Sequence, residues 1–191
     1  MEIGLKNGLA LKKSKSGSNT NGNLLLELDE NKLKISDIRD YVLERFDLVK
    51  SKPFMNKLVR FHTTNKYLLM AFNQVELNKL GNIVSNREKL LVNTVIENYE
   101  GHLKTALNKP PTRSRHANVL RRMYGHFYKK LSKYKQQMIE QQISDYQNGK
   151  IRLGDTLQNL TMLASDIDSM YLAKQSYFLL FSDKKALWKM L

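Results

Sequence analysis

Apolar residues recur along this chain at the three- and four-residue spacing of helices more than at the alternation of strands. Ser36, a cap-forming residue, precedes Ile38, Tyr41, Val42, Arg45 and Phe46 and predicts a first helix. Pro53 suits the first turn of a second, where a missing N–H is tolerated. Phe54, Leu58, Phe61, Leu68, Leu69 and Phe72 line one side of that helix, and Met55, Val59, His62, Lys66 and Met70 line another. A third helix is expected over 74–83, with Gly81 and Asn82 marking its end. Ser85 and Glu88 have capping-box spacing ahead of Leu91, Val95, Tyr99, Leu103 and Ala106. Pro110 and Pro111 end that fourth helix.

Thr112 is positioned to cap a fifth helix running to about Lys130. At 100° per residue Ala117, Leu120, Tyr124, Phe127 and Leu131 form an apolar stripe, and Arg115, Asn118, Arg122, His126 and Lys129 gather opposite. Ser132 opens a sixth helix through Tyr134, Met138, Ile139, Ile143 and Tyr146, which Gly149 stops. Leu153, Leu157, Leu160 and Leu163 predict another, with short helical pieces at about 170–178 and 184–188. The expected fold is all-α, a single-domain helical bundle over 51–191 preceded by an N-terminal extension, 1–50. Within that extension, KKSKSGSNTNGN at 12–23 has little to bury and reads as a flexible basic linker. Residues 24–28 are suited at most to a small ribbon with 2–6 or 9–11.

Charge sharpens this picture. Of the formal +14, a block from Gly101 to Ile139 contributes +10, with ten Lys or Arg, three of the four histidines and no carboxylate. Charge so localised favours an anionic partner, because ordinary solvated faces intersperse both signs. The absence of cysteine excludes disulfides and Cys-based metal or nucleophilic chemistry. No apolar run approaches the length of a transmembrane helix, and no signal-peptide order is seen, so the cytoplasm is the expected location.

Motifs for catalysis are sparse. HExxH, GxGxxG, P-loop and Gly-x-Ser-x-Gly patterns are absent, and neither a cofactor nor a metal is expected. Asp166 and Asp168 would point apart on a helix, and Glu97 with Glu100 lacks an enclosing pocket. The anion-binding candidates are Lys66, Arg115, Arg121, Arg122, Lys129, Lys130 and Lys133, with Tyr128 as the aromatic available for stacking on a base. His62 and His126 are the weaker catalytic candidates, which would act together only if the fold brings them into one pocket.

FHTTNKYLLMAF at 61–72 and RHANVLRRMYGHFYKKLS at 115–132 resemble the YbgA-like domain family, with support from ISDYQNGKIRL at 143–153 and YLAKQSYF at 171–178. The resemblance spans about residues 53–182 and implies a helical domain of unknown function. It selects Phe61, His62, Thr63, Lys66, Tyr67, Arg115, His116, Asn118, Gly125, Phe127, Lys129 and Lys130. Members often carry histidine where this chain has Asn65, Phe72 and Arg122, and Gly–Tyr where it has Gly125–His126, which weakens a shared histidine-based site. Some members accompany a cysteine-rich domain similar to thiouracil desulfidases, so the resemblance implies recognition of a nucleobase, nucleotide or modified RNA. Three functions follow: a non-catalytic RNA- or nucleic-acid-binding module, an acid–base enzyme on a nucleotide-like or phosphorylated small molecule, and a module that docks an acidic protein.

Overall fold

A computed structural model describes residues 33–165 and 174–182. Among them are eight α-helices: α1 Ile35–Ser51, α2 Met55–Phe72, α3 Gln74–Ser85, α4 Val92–Leu107, α5 Arg113–Tyr124, α6 Lys133–Gln147, α7 Leu153–Ser165 and α8 Ser176–Phe181. A 3-10 turn, Tyr128–Lys130, separates α5 from α6, and no strand occurs among the described residues. The all-α expectation holds. The linker at 12–23, the ribbon at 24–28, Asp166, Asp168, the side chain of Leu163 and the piece at 184–188 lie outside the described residues.

α2 is the central helix, packing against α1, α3, α4, α5 and α8. Its composition explains this position, since Leu58, Tyr67, Leu68, Leu69, Ala71 and Phe72 are wholly buried. Each large apolar side chain so removed from water contributes roughly 1.5–3 kcal/mol. On one side Phe46 of α1, Phe61 of α2 and Tyr99 of α4 form an aromatic cluster with centroids 5.3, 5.4 and 6.1 Å apart. α1 joins this core through Ile38, Val42, Phe46 and Val49.

A second cluster surrounds His116 of α5, whose ring lies 4.8 Å from Phe181, 5.7 Å from Tyr177 and 6.4 Å from Tyr146. The short α8 is fastened to the middle of α2 by polar groups. Ser176 Oγ lies 2.6 Å from Asn65 Oδ1 and 3.1 Å from Thr64 O, while Gln175 Nε2 donates to Thr63 O at 3.0 Å. Asn65 Nδ2 in turn donates to Phe61 O at 2.9 Å, so this buried amide is satisfied on both ends.

Helix boundaries depart from the sequence expectations where local competition decides. α1 starts one residue before Ser36, because the Asp37 carboxylate accepts the Lys34 N–H at 3.1 Å. Pro53 precedes α2 rather than entering it, and Phe54 occupies the extended cap position, 59% exposed instead of in the core. α3 continues through Gly81 and Asn82 and stops at Asn86, which takes the left-handed conformation at φ 41°. Ser85 and Glu88 form no capping box. Ser85 Oγ donates back to Asn82 O at 2.6 Å within α3, α4 begins only at Val92, and the cap residue Leu91 is 80% exposed.

The caps at Thr112 and Ser132 form as expected, accepting from Arg115 N and Lys135 N at 3.3 Å each. α5 nevertheless ends at Tyr124, where His126 N and Phe127 N bond to carbonyls three residues back and tighten the chain into the 3-10 turn. The apolar stripe survives this break, with Phe127 and Leu131 still buried. On α6 the apolar residues divide between core and solvent. Ile139, Ile143 and Tyr146 face the core, whereas Tyr134 and Met138 are exposed because positions 134 and 139 lie about 140° apart around a helix.

Candidate nucleic-acid interface

The basic block divides into cations that hold the fold and cations that do not. Arg113 Nη1 donates to Tyr146 O at 3.0 Å, and its guanidinium lies 5.3 Å from the Tyr146 ring centroid. Arg115 Nη1 donates to Phe72 O at 2.7 Å, closing the carbonyl end of α2. Lys104 pairs with Glu100 at 2.9 Å. Arg121 is divided between Gln147, 3.0 Å from its Nη2, and Glu140, 3.6 Å from its Nε.

Arg122, Lys129, Lys130 and Lys133 are exposed, and their side chains have no hydrogen-bond or ion partner among the described residues. They cluster along the chain at the α5–α6 turn. Between them stands Tyr128, 44% exposed, whose ring meets Tyr124 edge-on at a centroid distance of 5.1 Å. Gln136 Nε2 donates to Tyr128 O at 2.8 Å and Leu131 O at 3.1 Å, clamping the 3-10 turn to the start of α6. Tyr134, 70% exposed, adds a second surface aromatic. Its signal in the sequence was the flanking pair Lys133 and Lys135, which a buried position seldom carries.

A groove of about 320 Å³ opens beside this turn, lined by Tyr128 and by Lys133, Gln136, Gln137 and Glu140 of α6. The four α6 residues lie at i, i+3, i+4 and i+7 and thus share one face. Burial lifts the Tyr124 hydroxyl to about 12, with smaller contributions from Tyr128 and Glu140, so the phenol beneath the turn stays neutral. A larger cavity, about 380 Å³, sits at the α3–α4 turn and includes Asn82, Asn86, Asn98, Arg87 and Glu88.

The two catalytic candidates are turned to different sides of α2. His62 Nδ1 shares a 3.1 Å hydrogen bond with Tyr99 of α4, and its Nε2 lies 3.8 Å from where a Cβ on Gly81 of α3 would sit. His126, exposed after α5, meets Tyr67 edge-on at 6.2 Å. Positions 62 and 67 are about 140° apart around α2. Burial, reinforced by the neighbouring charge of Lys66, lowers His62 from 6.5 to about 4 and leaves it neutral near pH 7.

The remaining histidines serve structure. His102 Nδ1 pairs with Glu76 at 2.7 Å, and Lys79 holds the other Glu76 oxygen at 2.8 Å. Lys79 first and His102 next keep the Glu76 carboxyl below its ordinary range. His116 is buried and shares a 2.7 Å hydrogen bond with the Tyr177 hydroxyl, whose ionisation burial pushes well above the usual phenol range. Among the described residues no three His, Cys, Asp or Glu side chains converge as a metal site, and no helix is long and apolar enough to cross a membrane.

Comparison with curated proteins and with solved structures returns no significant match. A family model described as a protein of unknown function, DUF1722, matches residues 66–182, from Lys66 on α2 through α8 and inclusive of both the basic turn and the His116 cluster. The chain therefore belongs to the DUF1722 family, in agreement with the YbgA-like resemblance of its motifs.

Proposed function

We propose that this chain is a non-catalytic module that binds single-stranded RNA or DNA at the α5–α6 turn. The observation that supports it is the run over residues 122–134 of exposed Arg122, Lys129, Lys130 and Lys133, without side-chain partners among the described residues, together with the exposed aromatics Tyr128 and Tyr134. Cations lacking internal partners are available to phosphates, and accessible aromatic faces stack on unpaired bases that a duplex would hide. Arg115 is assigned to the fold, since its guanidinium closes the α2 terminus. Arg121 contributes charge at the margin while spanning α5 and α6.

Fluorescence anisotropy with a labelled single-stranded RNA and the corresponding duplex, at low salt, tests the reading. The single strand binds more tightly, and Tyr128→Ala weakens it by about 1–3 kcal/mol, the range for loss of one base stack. A folded protein that binds neither nucleic acid would reject the proposal. Preferential binding of an acidic protein in place of RNA would transfer the same surface to protein docking.

A further inference from the structure

The groove beside the 3-10 turn contains one group that simple phosphate binding does not explain. After the carboxylate-free block from Gly101 to Ile139, the first acidic residue is Glu140, and its side chain faces this groove with Lys133, Gln136, Gln137 and Tyr128. A surface selected only for polyanion attraction gains nothing from a negative charge there. Glu140 is half exposed, and its Oε2 lies 3.6 Å from Arg121 Nε, which leaves Oε1 without a partner among the described residues. Arg121 thus orients the carboxylate through an ion pair too long to be a hydrogen bond, so both oxygens keep lone pairs free to accept.

Resting on the nucleic-acid reading above, we infer that this groove is a base-specific subsite for one unpaired guanine. Tyr128 supplies the stacking face, its ring near-perpendicular to that of Tyr124 and its backbone carbonyl held, with that of Leu131, by Gln136 Nε2. Glu140 reads the Watson–Crick edge. Guanine alone among the four RNA bases presents two adjacent donors there, N1–H and N2–H, to match the two oxygens of a carboxylate. Cytosine and adenine each offer one amino group beside a ring acceptor, and uracil offers one N–H flanked by two carbonyl oxygens, which a carboxylate repels. Gln137, one turn before Glu140 on the same face, places an amide donor for guanine O6, and Lys133 at the groove's end is available to the adjoining phosphate. The volume of about 320 Å³ lies at the small end of ligand sites, roughly 300–1,000 Å³, and suits one base rather than a dinucleotide.

The experiment compares four uridine-rich 9-mers differing only in a central G, A, C or U, measured by anisotropy against wild type and Glu140→Gln. Wild type prefers the G-containing strand by about tenfold, the discrimination typical of a good two-bond base contact. Glu140→Gln, with one acceptor in place of two, binds all four strands and loses that preference. Equal affinity of wild type for the four strands overturns the guanine subsite and leaves the nucleic-acid reading standing, as does an undiminished G preference in Glu140→Gln. Absence of binding to every strand overturns both. Because the Glu140 side chain is half exposed, the substitution spares the core, and an unchanged circular-dichroism melt verifies that the variant is folded.

Discussion

Replacing His62 by glutamine separates its structural role from a chemical one. His62 is held in its neutral form chiefly by burial and secondarily by Lys66, so its proton affinity in the folded chain falls from 6.5 to about 4. The unfolded chain binds a proton as pH drops through 6.5, whereas the folded chain does not until about 4. The neutral imidazole therefore contributes stability that is fully present above 6.5 and is lost progressively as pH falls toward 4. Between pH 7 and pH 5 this linkage removes about 2 kcal/mol. Glutamine keeps an acceptor for the Tyr99 hydroxyl, 3.1 Å from the native Nδ1, and has no proton to gain in this range. The lowered carboxyls of Glu76 and Glu100 also lose stability on acidification, at lower pH, and do so equally in both proteins. Urea unfolding at pH 7, 6 and 5 then shows wild type losing about 2 kcal/mol more than His62→Gln across the interval. Identical pH dependence in the two proteins would refute the half-buried neutral imidazole and restore His62 as a proton-exchanging candidate.

Two further substitutions check the division between fold and surface. Arg115→Met leaves the Phe72 carbonyl without its 2.7 Å donor and lowers stability by about 1–2 kcal/mol in thermal or urea melts, while RNA affinity stays at the wild-type level. Gly149→Ala lowers stability by roughly 1–2 kcal/mol, because residue 149 has φ +82°, a region that Cβ disfavours, although that Cβ meets Arg113 no closer than 3.6 Å.

The helices were legible because their apolar periodicity is long and regular: Val95, Tyr99, Leu103 and Ala106 on α4, or Leu58, Phe61, Leu68, Leu69 and Phe72 on α2, are buried as their spacing requires. Ends were less legible, since they turn on single hydrogen bonds. Whether Ser85 caps α4 or bonds back to Asn82 is decided by the left-handed turn at Asn86, which spacing alone does not reveal. Charge delimited the basic block along the chain but did not sort its members. Arg115 and Arg122 sit on the same predicted face, yet the first reaches across to α2 and the second does not, a difference set by tertiary distance. Tyr134 and Met138 have the four-residue spacing of a helical face yet both point to solvent, so spacing alone did not separate them from the buried Ile139, Ile143 and Tyr146. Much of the motif resemblance marks packing: Thr63, Thr64 and Asn65 receive α8, and His116 anchors Tyr177.

The dependence of RNA affinity on salt tests the central claim most directly when wild type is compared with the variant carrying glutamine at Arg122, Lys129, Lys130 and Lys133. Four phosphate contacts on a single strand give a slope of log affinity against log salt of about −3. Wild type is expected to show at least that slope, and the quadruple variant, equally folded by circular dichroism, to lose nearly all of it together with most of the binding at low salt. An unaltered slope in the variant, or wild-type binding that ignores salt, would contradict the assignment of the α5–α6 turn as a nucleic-acid interface.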